Sequence, residues 1–529
     1  MSFSLVLHAH IPYCRKSGTW PAGEEWLHEA IIESYLPMFR SIKDLQRESI
    51  PLKLNIEFTP ILLEQLADPY MQDKFVGYLD DLIRRAREDQ ARFHDRPTSR
   101  AVAESYLEEF TYFRDVYVDR MHKDLIGAFK RLQDEGLIEI FTSAATHGFL
   151  PLMDNESAIF SQIQIGCDIY KKYFGKTPRG FWLPECAFRP MVYENDYKRP
   201  GLDYLLKRAG IKYIIVNYTG IDQSVIRGVN PDGVGYKTTF EGYSLAGTGV
   251  NVFGRNYATS EKVWSAEVGY PGNPHYREFH LKDPISGLRY HAVSEKNGPK
   301  QLYEIGKAKR QSRDDAKDFV AIVSESLSDY REINNRPGIV MAPYDFELFG
   351  HWWYEGPTWM KNVFAFLSEV EDVKPITLSE YIAEKGSQFS KITLPKTTWG
   401  EGGDFRVWKN PQHGWIWPLI NDCVKNFEGI LDRINEPRDE KQKRILLQMA
   451  RELLLMEGSD WPFLLYTEQA SKYANQRFHW HHQRFNTLLW AAKDFSDMSR
   501  LSISYLEELE SIDNPFQDVN LNYFKHRNA

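Results

Sequence analysis

Two carboxylates stand where short apolar runs give way to polar residues: Glu185 closes GFWLPE (180–185) and Asp345 closes GIVMAPYD (338–345). If each run is a buried strand, both carboxylates lie at its C-terminal rim. Acid-assisted glycosidic cleavage needs such a pair, one group to attack or stabilise the anomeric carbon and one to protonate the departing oxygen. Taken singly, each reads more simply as a helix cap or a loop ion pair. Asp345, however, begins DFELFGHWWYEGP, where Glu347, His351, Trp352, Trp353 and Tyr354 crowd a segment too polar for core and too aromatic for an ordinary surface loop. His8 and His10 end SLVLHAH (4–10) as an HxH pair, a spacing that puts both rings on one side of a strand and is used by metal-dependent hydrolases. His147, in ATHGFLPL, offers either a third metal ligand or a hydrogen bond to a sugar hydroxyl. Asp460, in GSDWPF, reads as a helix N-cap or as a helix end pressed onto something else.

The aromatic content requires its own explanation. The 14 Trp, 29 Tyr and 31 Phe make up 14% of the chain, and many adjoin Gly, Pro, Asp or His instead of lying in apolar runs. Flat aromatic faces stack on the apolar faces of sugar rings, so aromatic loops beside carboxylates suggest a carbohydrate cleft; a Tyr- and Trp-rich core is the competing reading. Trp408, Trp415 and Trp417 in VWKNPQHGWIWP, with Trp264 and Trp26, are candidate stacking surfaces, each equally able to pack in a core.

The elements that must position these groups are readable as alternating strands and helices. Apolar runs at 4–10, 52–59, 138–147, 180–185, 213–218 and 338–345 have the character of buried parallel strands, and amphipathic stretches such as 30–48 and 157–175 lie between them. Chemistry gathered at strand C-terminal ends favours a barrel. Residues 65–130 are rich in charge and separate the second and third strands by far more than a normal connection, which predicts an inserted helical subdomain. Residues 219–280 are dominated by Gly, Asn, Tyr and Thr and read as loops and short strands forming a lid. Strand signals stop after SEYIAEKG (379–386) and helical patterns dominate from about 419 to 510, so the chain divides into a catalytic unit at 1–400 and a C-terminal helical domain at 401–529.

Composition narrows the class of function. With 65 Lys and Arg against 73 Asp and Glu, the net charge of −8 over 529 residues gives no reason to expect nucleic acid or an anionic membrane as a partner. Hydrophobic residues at 42% and charged residues at 26% fit a folded globular chain. Four widely spaced cysteines form neither a CxxC pair nor a disulfide framework, and the N-terminus lacks a basic segment before its short apolar run. These features predict a cytoplasmic protein.

HAHIPY, GLIEIFTSAATHGFLPL, GFWLPECAF, APYDFELFGHWW and MEGSDWPF follow in this order, and together they resemble the five signature regions of glycoside hydrolase family 57, with flanking detail similar to its glycogen branching subgroup. The resemblance runs from Ser4 to about Asn486. It implies an α/β fold, an incomplete (β/α)7 barrel with an inserted helical subdomain and a C-terminal α-helical domain. It also implies a retaining enzyme that cleaves α-1,4-glucan and transfers the chain to a 6-hydroxyl, with Glu185 as nucleophile and Asp345 as acid/base. His10, Trp26, His147, Arg255, Trp264, Trp408, Trp417 and Asp460 fall on cleft-lining positions by the same resemblance, and Tyr236 on a loop tip, with Tyr243 the other candidate there. No cofactor and no catalytic metal are implied, which sets aside the metal reading of the HxH pair. The implied partner is an α-glucan, and the implied assembly a monomer or small homo-oligomer. An amylase or 4-α-glucanotransferase, a metal-dependent deacetylase and a non-catalytic glucan-binding protein are the alternatives.

Overall fold

The computed structural model describes all residues except 195–196, 223–236, 266–267, 295–297, 435, 494–500 and 526–529. Tyr236 therefore lies outside the described residues. The strands that build the catalytic frame are β1 (Ser2–Ala9), β2 (Leu54–Phe58), β3 (Ile138–Ser143), β4 (Gly180–Trp182), β5 (Tyr213–Val216), β6 (Gly242–Leu245), β7 (Asn251–Gly254) and β8 (Ile339–Asp345). Seven of them run parallel in the order β8, β1, β2, β3, β4, β5, β7, and β6 pairs antiparallel on the outer side of β7. Between β7 and β8 there is no ladder; the Asn256 N–H donates to the Met341 carbonyl at 3.0 Å and bridges the gap. The result is the incomplete (β/α)7 barrel. β7 falls within the stretch that reads as loops and short strands, and it does not stand out there as a barrel strand because its signal is only Val252 and Phe253 between Asn251 and Gly254.

Alternation along the strands separates two cores. Val6, Phe141, Trp182, Tyr213, Ile215, Phe253, Ile339 and Met341 form one cluster inside the barrel, while their neighbours Leu5, Leu7, Ile56, Ile140, Ile214, Val340 and Ala342 join the large cluster that packs against the helices. Helix packing is close. A Cβ on Gly166, in the helix Glu156–Phe174, would sit 2.1 Å from the Ser143 carbonyl, so only glycine lets that helix reach β3.

Between β2 and β3 the helices Pro69–Arg92 and Pro97–Asp115 form an antiparallel pair, the inserted helical subdomain. It is tied to the segment after β7 by the Tyr106 hydroxyl, which donates to the Arg289 carbonyl at 2.6 Å, and by Tyr290, which donates to Asp89 at 2.8 Å. The C-terminal part is helical: Ile416–Arg433, Glu440–Met456, Asp460–Thr467, Ser471–Lys493 and Ile503–Ile512. None of the described helices is long and apolar enough to cross a membrane.

Candidate active site

Strand register assembles the first layer. His8 of β1 lies level with Asp345 of β8 on one side and Glu57 of β2 on the other, so three titratable side chains form one row at the C-terminal end of the barrel. His8 Nδ1 is hydrogen-bonded to Glu57, and the His8 ring lies flat on Trp182, centroids 4.6 Å apart at 10°. Burial pushes both partners towards their neutral forms, Glu57 up and His8 down.

Glu185 is delivered differently. The turn Pro184–Cys186 that follows β4 holds Glu185 at φ 62, ψ 26 and Cys186 at φ 49, left-handed values that cost non-glycine residues about 1–3 kcal/mol each. The segment around Thr398 over-determines this conformation. The Glu185 carbonyl accepts from the Trp399 N–H (3.1 Å) and the Thr398 hydroxyl (2.7 Å). The Trp399 indole N–H donates to Glu185 Oε2 at 2.8 Å, and His147 Nδ1 stands 3.9 Å from Oε1. Nothing in TTWGEGGDF marks Trp399 as a partner of Glu185; the link exists only through tertiary pairing of Phe188 with Thr397.

The two carboxylates differ in electrostatics. Burial raises Glu185 to about 7, opposed chiefly by the Trp399 hydrogen bond. Burial also pushes Asp345 well above the usual carboxylate range, reinforced by Glu347 and Glu185 and opposed by Arg255. Glu347 is pushed up to about 7 by burial despite accepting from the Tyr35 hydroxyl and, at 3.1 Å, from the His10 N–H. Burial thus pushes all three carboxyls towards their neutral forms.

The histidines form a stack: His10 and His147 lie 4.2 Å apart, and His8 and His147 4.9 Å. His147, at φ 54, bonds Ser459 through Nδ1 at 2.8 Å, while its buried Nε2 has no partner among the described residues and is free for a substrate hydroxyl. Burial holds His147 neutral. For His10, burial works in the same direction but is outweighed by Asp460, whose Oδ1 lies 3.0 Å from Nε2, and its pKa is raised. Of the ring nitrogens in this stack, Nδ1 of His8 is taken by Glu57, both nitrogens of His10 by Thr59 and Asp460, and Nδ1 of His147 by Ser459. Glu452, His481 and Asp513 also lie within mutual reach in the C-terminal helices, but guanidinium groups of Arg477 and Arg484 already bond His481 and Asp513 and leave little for a cation.

These groups open into one cleft of about 1780 Å³, lined by His10, Trp26, His147, Glu185, Arg255, Trp264, Asp345, Trp399, Trp408 and Asp460. Trp408 is 1% exposed and shows the cleft only an edge, its ring stacked on Phe149 at 4.4 Å. Trp417 does not line the cleft: it is 2% exposed and donates its indole N–H to the Trp408 carbonyl at 2.8 Å, so it buttresses Trp408 from behind. Trp415 likewise turns away, stacked on His479 at 5.2 Å. Tyr243 is buried, its hydroxyl bonded to Thr238 backbone. In the histidine-rich run HWHH (479–482) of the helix Ser471–Lys493, His479 is exposed and His481 is buried against Glu452.

Comparison with known proteins matches this geometry to a family. Residues 4–395 match the model of glycosyl hydrolase family 57, and residues 420–524 that of the 1,4-alpha-glucan branching enzyme C-terminal region. A 1,4-alpha-glucan branching enzyme of Thermococcus kodakarensis is 39% identical over 98% of this chain and 77% of its own. The crystal structure of a branching enzyme from Pyrococcus horikoshii superposes with a TM-score of 0.92 at 37% identity, covering 100% of this chain and 97% of that one. An alpha-amylase structure from Thermotoga maritima gives 0.85 at 27% identity, covering 100% and 99%. The chain belongs to glycoside hydrolase family 57.

Proposed function

We propose that this protein is a 1,4-alpha-glucan branching enzyme, with Glu185 as nucleophile and Asp345 as acid/base. The observation that carries the catalytic assignment is the asymmetry of the two carboxylates. Glu185 accepts the Trp399 indole N–H, which favours its ionised form, whereas among the described residues no hydrogen-bond donor meets the Asp345 carboxyl and Glu347 crowds it. When the site holds one proton between the two, it rests on Asp345.

Glu185 attacks C1 of an α-1,4-linked glucose while Asp345 passes its proton to the leaving oxygen, giving a β-linked glycosyl-enzyme. Asp345, now ionised, removes the proton of an acceptor 6-hydroxyl as that oxygen attacks C1, and the new α-1,6 bond retains configuration. Water at the same position gives hydrolysis, so branching requires a cleft that holds an acceptor and restricts water. The aromatic walls Trp26, Trp264 and Trp399 and the unpartnered His147 Nε2 serve that requirement. Branching is favoured over hydrolysis by the match of 420–524 to the branching-enzyme C-terminal region and by the presence of branching enzymes among its relatives.

The substrate is a neutral α-glucan and the enzyme acts in the cytoplasm, in keeping with four free, buried cysteines, as a monomer or small homo-oligomer. Linkage analysis of amylose after incubation tests the reading. New α-1,6 linkages in excess of new reducing ends are expected; reducing ends without new linkages would make it an amylase, the activity named for the Thermotoga relative.

A further inference from the structure

The helix Ser471–Lys493 starts at the cleft and leaves it. Tyr473 and Gln476, in its first turns, line the cleft, and Tyr473 meets Trp26 edge-on at 5.2 Å. From there Trp480, Gln483, Thr487 and Trp490 continue at spacings of four, three, four and three residues, so all six side chains share one face. Trp480 is 38% exposed and Trp490 51%, Gln483 is exposed and Thr487 half-buried. The opposite face, with Phe478, His481, Phe485, Leu488 and Leu489, is buried against the other C-terminal helices. Amphipathicity accounts for the inner face, and Trp480 and Trp490 stand on the outer one.

What they offer is specific in chemistry. The stripe carries no charge; its polar groups are an amide, a second amide and a hydroxyl, set between aromatic rings. Arg484 lies over Trp480 with its guanidinium carbon 5.7 Å from the ring centroid, and that cation is anchored by Asp513, which fixes the indole. Flat aromatic faces alternating with neutral hydrogen-bonding groups match an amphipathic, uncharged polymer whose sugar rings present an apolar face and a hydroxyl rim. At about 1.5 Å per residue, the stripe from Tyr473 to Trp490 is about 25 Å long.

We propose that this helix face is a binding track for α-glucan that continues the catalytic cleft outward and engages the part of a long chain that projects from it. The inference rests on the proposed substrate class and on continuity: Tyr473 and Gln476 belong to the cleft and the track at once. The track selects for chain length, because only a glucan long enough to pass Gln476 reaches Trp480.

The test is the double variant Trp480→Ala/Trp490→Ala, both sites being at the surface. In a Glu185→Gln background, so that polymer is not consumed, native electrophoresis through gels containing glycogen should show retardation falling about fivefold, in keeping with loss of exposed aromatic stacking contacts. With Glu185 intact, the ratio of kcat/KM on long amylose to kcat/KM on a short maltooligosaccharide should drop by a similar factor. Equal retardation by glycogen, or equal losses on short and long substrates, would overturn the track. So would a change of sedimentation coefficient without a change in retardation, which would make the face a contact between copies. Failure of the parent reading is separate, since it would show as no new α-1,6 linkage formed by the protein with all its tryptophans intact.

Discussion

Replacing Trp399 by phenylalanine keeps an aromatic wall beside Trp182 and Arg255 and deletes one atom group of interest, the indole N–H that Glu185 Oε2 accepts at 2.8 Å. A hydrogen bond to a charged group contributes about 1.5–3 kcal/mol, and one pH unit of pKa corresponds to about 1.36 kcal/mol. The Glu185 side chain lines the cleft and is 19% exposed, so water compensates part of the loss and the lower half of that range applies. The N–H stabilises the ionised carboxylate. Its removal therefore raises the Glu185 pKa, already lifted to about 7 by burial, by about one pH unit or slightly more. Below the acidic limb the rate follows the ionised fraction of the nucleophile, so kcat/KM should fall about tenfold there and recover as pH rises. The assay is the pH profile of kcat/KM on an activated maltooligosaccharide glycoside, which depends little on protonation of the leaving group. An acidic limb that stays in place while the rate drops by one factor at every pH would refute the argument and reduce Trp399 to a packing surface.

Glu185→Gln should abolish transfer and hydrolysis together while glycogen retardation persists, because the covalent step precedes the choice of acceptor; a tenth of the original rate would remove the residue from the nucleophile role. Asp345→Asn should be nearly inactive on amylose yet still form the glycosyl-enzyme from a substrate with a good leaving group, and added azide, displacing Glu185 from the β-linked intermediate, should restore turnover with an α-linked azide product, observable by NMR. Equal loss on natural and activated substrates would argue against Asp345 as the acid/base. Glu457 is fully buried, accepts from Gln162 at 2.7 Å, and is raised by burial from the ordinary 4.5 to about 8. A carboxyl raised in the folded state gives stability present below its unfolded pKa and lost as pH climbs through the folded value, here from about 4.5 to about 8. Glu457→Gln should flatten that decline, so Tm measured between pH 5 and 9 should fall less in the variant; parallel curves would contradict it.

How far the sequence carries the site depends on whether a residue's partners are local. Glu185 and Asp345 stand out because each ends an apolar run, and parallel register turns that linear position into a shared rim. The tryptophans are a harder case. In VWKNPQHGWIWP, Trp408 and Trp417 differ by nine residues and look alike on paper, yet the short loop folds so that one edges the cleft and the other braces it through a backbone carbonyl. Trp399 was invisible because its importance comes from the Phe188–Thr397 bridge, a contact between segments about two hundred residues apart. β7 escaped for a related reason: its two apolar residues are too few for a periodicity, and its strand identity comes from pairing with β5.

The same long-range logic explains why the C-terminal helices are part of the catalytic unit. Gly148 of the loop after β3 pairs with Gly458, the Ser459 N–H donates to the His147 carbonyl at 3.1 Å, and Asp460 bonds His10. Behind this contact Gln162 donates to both Thr146 and Glu457, and the Thr146 hydroxyl reaches the Leu454 carbonyl at 2.5 Å. The barrel supplies the carboxylates, but the positions of two of its three stacked histidines are set by residues 457–460. A neutral Glu457 suits that joint. As an unpaired anion it would be costly in so dry a place, whereas in the protonated form it accepts from Gln162 and adds a donor of its own. Because His10 and His147 line the same cleft as Glu185, a displacement of the 457–460 turn would move both rings relative to that carboxylate, although the turn lies far from it in sequence.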